Sequence, residues 1–277
     1  MSEHAAAAGI LPIEVEKLIV RYGERTILRS IDFDVRPGEI MVVMGGSGSG
    51  KSTLMRHLLA LERPSSGTIR ILGKDISRLD TVEQAELYRS VGVAFQSGAL
   101  FSSMSVGENI MLPLTEHTKL DHQTMEIMMR MKLEVVDLAG FENLMPAELS
   151  GGMIKRAALA RAIVMDPKIL FCDEPSAGLD PVVAAQLDDL LLRLRGAMNM
   201  AMVVVTHELD SAFKIADRIT ILDRGEVLKV GTVDEIRSST NGRIQNILNR
   251  RSEEETLDVD SYLKRLTGIE VEVAPPL

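Results

Sequence analysis

The segment that decides the fold spans residues 39–61 and has the sequence EIMVVMGGSGSGKSTLMRHLLAL. Residues 39–44 are apolar almost throughout, which is typical of a strand buried in the centre of a parallel sheet. Residues 53–61 have a helical pattern, and the Pro-Ser-Ser-Gly turn that begins at Pro64 ends it. A strand, a glycine-rich loop and a helix in this order predict a loop that binds phosphate groups.

The glycine-rich loop matches the G-x-x-x-x-G-K-[ST] pattern. Glycines let successive backbone N–H groups turn inward around phosphates, and the following helix adds the positive end of its dipole. We expect the Lys51 ammonium to bridge the β- and γ-phosphates of ATP and the Ser52 hydroxyl to ligate Mg²⁺. The predicted phosphate-binding residues are Gly45, Gly46, Ser47, Gly48, Ser49, Gly50, Lys51, Ser52 and Thr53.

Length and composition predict a globular protein without a nucleic-acid partner. The 277 residues are enough for one large domain or for one domain with a smaller lobe, and 45% of them are hydrophobic. The formal net charge of −9 argues against nucleic acid, because affinity for phosphate backbones comes mainly from clustered Lys and Arg. An anionic lipid surface is expected to repel the chain similarly, so we expect any membrane attachment to run through a protein partner.

The sequence does not predict a membrane span, a secretory signal or a disulfide. The longest apolar stretches, such as residues 201–205, are far shorter than the roughly 18 residues that predict a membrane-spanning helix. The N-terminus lacks the basic start and the apolar run of a secretory signal, so a cytoplasmic location is expected. The single Cys172 cannot form an internal disulfide, and the apolar residues before it predict a buried core position.

Strand and helix patterns alternate along most of the chain. Strands are predicted within residues 13–44 and 68–76 and at residues 91–95, 169–172, 201–206, 219–222 and 227–230. From residue 105 to about residue 161 the strand pattern gives way to Met- and Leu-rich helical periodicity, which predicts an inserted helical lobe. Its methionines at 125–131 fit either core packing or an adaptable binding surface. With a long helix predicted over residues 181–195, the alternation implies an α/β fold with a mostly parallel, helix-covered sheet.

Polar residues that follow apolar strands form a second candidate cluster. Asp173 is expected at the carboxyl end of a central strand, where open α/β sheets bind ligands and where it can contact Mg²⁺. Glu174 is expected to orient or deprotonate the attacking water. His207 is a candidate hydrogen-bonding partner of the γ-phosphate, and Gln96 is a candidate contact to Mg²⁺ and water. Each of these residues alone also fits a structural role, and the phosphate-binding loop is what favours the catalytic interpretation.

The order of these motifs resembles that of the ATP-binding cassette (ABC) ATPases over residues 13–240. The motifs are Tyr22, the loop at 45–52, Gln96, Leu149-Ser150-Gly151-Gly152-Met153, Asp173-Glu174, Ser176-Ala177-Gly178-Leu179-Asp180 and His207. The resemblance implies an ABC-type P-loop NTPase with a RecA-like mixed sheet, an N-terminal antiparallel β subdomain and an α-helical subdomain inserted at about residues 98–162. It divides the chain into an ATPase domain at residues 13–250 and a C-terminal extension at residues 251–277.

The resemblance also implies roles that depend on a second copy of the chain. Tyr22 stacks on adenine, while Ser150, Gly151 and Gly152 open a helix whose N-terminus caps the γ-phosphate bound by the opposite subunit. Asp180 helps to couple the two sites. A head-to-tail homodimer that hydrolyses two ATP molecules with Mg²⁺ is therefore expected. Met153 stands where most of the family has Gln, which removes an amide contact near the sugar.

Met153 narrows the resemblance to the bacterial ATPases of MCE-type lipid transporters. Further segments that carry it are Phe95-Gln96-Ser97-Gly98-Ala99-Leu100-Phe101, Met104-Ser105-Val106, Asn109-Ile110 and Pro113-Leu114-Thr115-Glu116-His117-Thr118. In that group an ATPase dimer lies under two permease subunits at the cytoplasmic face of the inner membrane, with periplasmic MCE-domain proteins and often a STAS-domain protein. The implied function is ATP-driven phospholipid transport between the inner and outer membranes.

Two segments are candidates for partner contacts. Residues 97–114 match the place where ABC ATPases receive the coupling helix of the permease, although packing within the lobe also fits them. Residues 251–277 are expected to grip the neighbouring ATPase or the STAS-domain partner.

Other functions stay open. An ABC ATPase can serve another cargo, such as an amino acid or a lipoprotein, or it can regulate cell-wall remodelling without moving a substrate. A P-loop kinase is disfavoured, because the turn at Ser150, Gly151 and Gly152 has no role in transferring phosphate to a small acceptor.

Overall fold

The computed structural model describes residues 10–249 of the chain. The contacts within the chain divide it into two units, with the boundary after Ser238. Of the described residues, 10–238 belong to the first unit and 239–249 to the second.

The described part of the first unit has ten strands in two sheets. The strands are β1 (Ile13–Tyr22), β2 (Arg25–Val35), β3 (Ile40–Met44), β4 (Ser66–Ile71), β5 (Lys74–Asp75), β6 (Val91–Ala94), β7 (Ile169–Asp173), β8 (Ala201–Val205), β9 (Arg218–Asp223) and β10 (Glu226–Gly231). One sheet is antiparallel with the order β2-β1-β4-β5. The other has the order β10-β9-β3-β8-β7-β6, and its strands are parallel except for β10.

Burial explains why β3 and β8 lie inside the second sheet. All five residues of each strand are buried, as is required of parallel strands that are covered on both faces. The strand β10 differs because Arg224 and Gly225 both have positive φ, of 49° and 79°, as a two-residue type I′ hairpin turn requires. The prediction of an α/β fold with a mostly parallel sheet and an N-terminal antiparallel sheet is confirmed.

Nine α-helices lie between residues 10 and 249. They are α1 (Lys51–Leu58), α2 (Thr81–Arg89), α3 (Val106–His117), α4 (His122–Val135), α5 (Gly151–Ile163), α6 (Pro181–Met198), α7 (Leu209–Ile215), α8 (Val233–Arg237) and α9 (Gly242–Leu248). The helix predicted over 53–61 is α1, which ends earlier, and Ala60 just beyond it has a left-handed backbone with φ of 52°. The helix predicted over 181–195 extends to Met198, and Asn199 ends it in the left-handed conformation.

The helices α3, α4 and α5 follow one another between β6 and β7, where the structure has no strand among its described residues. Ser105, Asp121 and Ser150 each cap one of these helices, because their side chains accept hydrogen bonds from backbone N–H groups of the first turn. A helical insertion is thus present, and its predicted bounds of 98–162 stay a prediction. The methionines at 125–131 fit both core packing and an exposed surface. Met129 is 3% exposed, whereas Met131 is 61% exposed.

The second unit is described only up to residue 249. It contains α9, whose N-terminus is capped by the Asn241 side chain, and the Gln245 amide donates to the Ser239 carbonyl 2.7 Å away. The predicted extension at 251–277 lies outside the described residues, so the predicted boundary at residue 250 stays a prediction. Within residues 10–249, every helix is too short or too polar to cross a membrane.

Candidate active site

The phosphate-binding loop joins β3 to α1, and its shape is fixed by a close contact with β9 and by the side chain of Lys51. A side chain on Gly45 would place its Cβ 2.0 Å from the Leu222 carbonyl oxygen, so β9 leaves room only for glycine there. The Lys51 ammonium donates to the carbonyl oxygens of Gly45 and Gly46 at 2.8 and 2.9 Å. Gly46, Ser47 and Gly48 are exposed, so the open side of the loop faces solvent. This arrangement can bind an anion at the N-terminus of α1.

Asp173 ends β7 and is followed directly by Glu174, so the structure brings both predicted carboxylates to the same sheet edge as the loop. Burial, followed by the charge of Glu174, raises the pKa of Asp173, and Lys51 opposes this rise. Burial in turn lowers the pKa of Lys51, against the attraction of both carboxylates. A concentrated arrangement of like and opposite charges of this kind is typical of a functional site.

Glu174 and His207, which the sequence predicts to belong to one site, contact each other directly. The His207 Nδ1 atom lies 2.8 Å from the Glu174 Oε1 atom, and the His207 backbone N–H donates to Oε2 at 3.4 Å. Glu174 is 9% exposed, whereas the His207 side chain is 58% exposed. The backbone of Glu174 has a φ of 46°, which is unfavourable for a residue with a side chain, and its N–H donates to the Val205 carbonyl at 2.8 Å.

Gln96 follows β6 and is exposed, and its backbone is tied to the helical lobe. Its carbonyl oxygen accepts a hydrogen bond from the Lys155 ammonium of α5. Arg161, also on α5, donates to the carbonyls of Gly98 and Ala99 at 2.9 and 2.7 Å. These two cations were not among the predicted site residues. The available signal was two charged residues on a helix whose neighbours Ala157, Ala158 and Leu159 are apolar.

The predicted turn at Ser150, Gly151 and Gly152 forms the start of α5. The Ser150 hydroxyl accepts from the Met153 N–H at 3.3 Å, and a Cβ on Gly152 would lie 2.7 Å from the Val183 Cγ1 atom of α6. Gly152 is therefore required by packing inside one chain. Asp180 begins α6 and caps it, because its Oδ1 atom accepts from the N–H groups of Val182 and Val183 at 3.1 Å each. In the described part of the chain, no hydrogen bond or ion pair joins this turn to Lys51.

Tyr22 lies at the end of β1, and 47% of its surface is exposed. Its hydroxyl donates to the Glu62 carboxylate, which also forms an ion pair with Arg56 at 3.6 Å. The hydrogen bond to Glu62 raises the pKa of Tyr22. The phenol is thus fixed by its hydroxyl end while the ring stays accessible to a planar ligand. Glu62 was not predicted from the sequence.

The predicted metal ligands fit a magnesium ion by their chemistry. Ser52, Asp173 and Gln96 offer hydroxyl, carboxylate and amide oxygens, the hard donors that Mg²⁺ binds. A cation there would also offset the repulsion between Asp173 and Glu174 that contributes to the raised pKa of Asp173.

The loop, the carboxylates at the end of β7 and the inserted helices define a P-loop ATPase. Comparison with known families gives the class: the model of the ABC transporter family matches residues 28–177, and the chain belongs to that family. It binds ATP and hydrolyses it, as the family does. The resemblance found in the sequence motifs is confirmed.

The curated relatives carry two kinds of name. The chain is 39% identical to the intermembrane phospholipid transport system ATP-binding protein MlaF of Haemophilus influenzae, over 87% of this chain and 91% of the relative. The MlaF of Escherichia coli K12 is 37% identical over 82% of this chain and 84% of its own length. The probable ribonucleotide transport ATP-binding protein mkl of Mycobacterium tuberculosis H37Rv is 38% identical over 86% of this chain and 67% of its own length.

Solved ABC cassettes share the fold. A dimeric post-hydrolysis state of the cassette MJ0796 bound to ADP and Pi has a TM-score of 0.73 and 29% identity, and covers 80% of this chain and 98% of its own. The protein cbiO1 from Clostridium perfringens, part of the ABC transporter complex cbiONQ, has a TM-score of 0.77 and 27% identity, and covers 94% of this chain and 99% of its own. The predicted ABC-type fold is confirmed by both.

Proposed function

We propose that the chain is the ATP-hydrolysing subunit of an ABC transporter that moves phospholipids between the inner and outer bacterial membranes. The observation that carries the ATPase site is the Glu174 carboxylate, which His207 holds and whose charge acts on Lys51 of the phosphate-binding loop. The cargo is inferred from the two relatives whose names state intermembrane phospholipid transport.

ATP binds with its phosphates in the loop at residues 45–53 and its adenine on the exposed ring of Tyr22. The Lys51 ammonium already donates to two loop carbonyls, so it is extended toward the open side of the loop before the nucleotide arrives. On binding it moves part of its hydrogen bonding to the β- and γ-phosphates, which are stronger acceptors because they are charged. The loop therefore needs little rearrangement.

Hydrolysis depends on the orientation of one water molecule by Glu174. The carboxylate accepts a hydrogen bond from this water and takes up its proton as the water oxygen bonds to the γ-phosphorus. The bond from this phosphorus to the oxygen bridging to the β-phosphate breaks, and ADP and phosphate are released. His207 keeps the carboxylate in place and is exposed enough to reach the phosphate itself. Ser52, Asp173 and Gln96 would hold Mg²⁺, which would supply positive charge to offset that of the phosphate oxygens.

The second half of each site comes from another copy of the chain in a head-to-tail homodimer. The Ser150, Gly151 and Gly152 turn presents the N-terminus of α5, and an opposite γ-phosphate is a suitable ligand for that positive end. The packing of Gly152 on Val183 joins the turn to α6, so a change at the Asp180 turn reaches α5 directly. The dimeric post-hydrolysis cassette with ADP and Pi supports this arrangement.

A membrane permease binds the groove beside residues 95–101, which are called the Gln96 segment. This groove has a volume of about 490 Å³, and its lining includes Phe95, Phe101, Leu112 and Pro113. Phe95 and Phe101 are 41% and 51% exposed. A helix that places apolar side chains between them would bury this surface, which is the expected mode for an amphipathic segment in a groove.

The rim of this groove is rigid. The side chain of Asn109, which is fully buried, accepts from the Phe101 N–H and donates to the carbonyl oxygens of Phe101, Met104 and Ser105. Movement of a permease segment is therefore transmitted to the Gln96 segment and α3 together.

The complete assembly contains the ATPase homodimer, two permease subunits, MCE-domain proteins and a STAS-domain protein. The ATPase is peripheral and lies at the cytoplasmic face of the inner membrane. The extension at 251–277 grips the neighbouring ATPase or the STAS-domain partner. Deletion from Arg251 onward is expected to weaken dimerisation or partner binding, and unchanged dimerisation, partner binding and ATPase activity would exclude that role.

A different cargo is the second candidate, because the mkl relative is named for ribonucleotide transport. To separate the two candidates, the chain is purified in mild detergent with its membrane partners, and mass spectrometry identifies these partners. The complex is then reconstituted with vesicles that contain a labelled phospholipid. We expect ATP-dependent movement of labelled phospholipid, and none with Lys51→Ala. Movement of a nucleotide instead would assign another cargo, and ATP hydrolysis without any movement would favour a regulatory ATPase.

A further inference from the structure

Lys155 is a buried cation at the centre of the site, outside every motif that the proposed function uses. It lies on the first turns of α5, and its residue is 8% exposed. Its ammonium donates to the carbonyl oxygen of Gln96 and to that of Glu174, the latter at 3.1 Å. Burying a lysine is unfavourable unless its charge and its donors are matched. Here two carbonyls accept hydrogen bonds from the ammonium, and burial lowers its pKa against the attraction of the nearby Glu174 and Asp173 charges.

The two carbonyls belong to two different parts of the proposed site. The Gln96 carbonyl is on the segment that follows β6 and leads into the helical lobe. The other carbonyl belongs to Glu174, whose carboxylate is proposed to be catalytic. Lys155 therefore links three elements at a single atom: α5, the Gln96 segment and the end of β7. Arg161, by contrast, donates to the carbonyls of Gly98 and Ala99 and, among residues 10–249, to no part of β7 or Glu174.

Glu174 needs such a restraint because of its backbone. With a φ of 46° it is in the left-handed region, which residues with a side chain rarely occupy. Three hydrogen bonds hold it there: its N–H donates to Val205, and its carbonyl accepts from Ala177 and from Lys155. Of these, only the bond from Lys155 comes from the helical lobe.

We propose that Lys155 is a positioning residue for hydrolysis, which fixes the Glu174 backbone from helix α5 and makes the placement of its carboxylate depend on the position of the helical lobe. A shift of α5 relative to β7 lengthens the bond to Glu174 and releases its peptide group, so the carboxylate loses the orientation that the attacking water requires. The inference rests on the catalytic role proposed for Glu174.

The test compares Lys155→Met, which keeps the length of the side chain but donates no hydrogen bond, with the unaltered chain. We expect kcat for ATP hydrolysis to fall roughly tenfold to a hundredfold, the range found when a residue that supports a functional group is lost. The KM for ATP is expected to change less than about threefold, because the phosphate-binding loop is untouched. In Lys155→Gln the shorter amide reaches one carbonyl at most, so kcat is expected to lie between those of Lys155→Met and the unaltered chain.

Lys132→Met is the matched control, since it removes another largely buried lysine of the helical lobe. Its ammonium pairs with Asp166, and within residues 10–249 no hydrogen bond or ion pair joins it to Gln96 or Glu174. It is expected to keep kcat. A kcat in Lys155→Met or Lys155→Gln equal to that of the unaltered chain overturns the inference, as does an equal loss in Lys132→Met. If Lys155→Met does not fold, as circular dichroism would show, Lys155→Gln alone decides. Glu174→Gln in the same assay tests the underlying function: if it still hydrolyses ATP at the normal rate, the role of Glu174 fails and not only that of Lys155.

Discussion

Lys51 shows how a single residue can be prepared for a ligand. Its ammonium is held over the loop by the carbonyls of Gly45 and Gly46, and burial already lowers its pKa. A charge kept partly out of water is attracted more strongly to phosphate than a hydrated one. Binding of ATP thus replaces neutral acceptors with charged ones at little cost in side-chain ordering.

Replacing Lys51 with Ala is expected to weaken ATP binding by about a hundredfold or more. The reason is the loss of the two charge-assisted hydrogen bonds proposed from the Lys51 ammonium to the β- and γ-phosphates, each contributing roughly 1.5–3 kcal/mol. Titration with a fluorescent ATP analogue measures the affinity. Lys74→Ala is the control, because the Lys74 ammonium forms a surface ion pair with Glu86 at 3.8 Å and, in the described part of the chain, has no hydrogen bond or ion pair with the phosphate-binding loop. Equal affinities in the two variants would contradict the assignment.

Cys172 provides an independent check of burial at the end of β7. Its side chain is 0% exposed, and burial followed by the charge of Asp173 raises the pKa of the thiol to about 12. At pH 8 about one thiol in ten thousand is then ionised, and the thiolate is the reactive form. Iodoacetamide is expected to modify this single cysteine in guanidinium but not in the native protein, as followed by intact mass. Equal labelling rates would show that the strand end is open.

Sequence reasoning identified candidate residues in contiguous motifs and missed Lys155 and Glu62, whose hydrogen bonds join positions far apart in the sequence. Lys51, Glu174 and His207 each follow an apolar strand, and a strand end is visible in the sequence. Lys155 is 59 positions from Gln96, so no local sequence pattern indicates that the two residues are in contact. The hydrogen bond from Tyr22 to Glu62 was missed for the same reason.

At the scale of elements, helices α5 and α6 pack closely against each other where both helices begin. Gly152 lies where α5 begins, and Val183 lies in the first turn of α6. An added Cβ would come within 2.7 Å of Val183, so one of the two helices would have to move. Close packing of this kind makes the two helices move together.

The stability of this contact can be measured with a double-mutant cycle. Gly152→Ala is expected to lower the free energy of unfolding by roughly 1–3 kcal/mol through overpacking. Val183→Ala in the same chain removes the clashing methyl group and is expected to recover part of the loss. Chemical unfolding of the four proteins gives the coupling. Strict additivity would mean that the two side chains do not meet.

A glycine in the same helix serves as the control for that cycle. Gly196 lies in the last turns of α6, and an added Cβ there would meet no atom within 4 Å. Gly196→Ala is therefore expected to raise the free energy of unfolding by roughly 0.5–1 kcal/mol, because alanine loses less backbone entropy. A decrease would show that α6 is not helical at this position.

The elements were predicted well where burial or a turn decides them, and less well at their ends. The strands β3 and β8 were evident because every residue in them is apolar. Helix α7 was missed because its seven residues are too few for a clear helical period. The direction of β10 depends on the two positive φ angles of its turn, and Arg at the first position gave no signal for them.

On the scale of the whole molecule, the two halves of the site lie on different parts of one chain. The phosphate-binding loop and Glu174 belong to the sheet, while the Ser150 turn belongs to the helical lobe. The order of motifs along the sequence was enough to predict this division. The second copy that is proposed to complete the site could not be inferred from packing within one chain, because the proposed contact joins the Ser150 turn to a γ-phosphate bound by another chain.

The measurement that tests this account most directly is the molecular mass of Glu174→Gln in saturating ATP and Mg²⁺, determined by size-exclusion chromatography with light scattering. The substitution removes the carboxylate proposed to act on water and keeps the phosphate-binding loop, so we expect hydrolysis to stop and the closed state to accumulate. We predict a dimer of about twice the 30.4 kDa chain mass with two bound ATP molecules. The double variant Lys51→Ala and Glu174→Gln is expected to remain monomeric. A Glu174→Gln protein that binds ATP fully and stays a monomer would contradict the shared site.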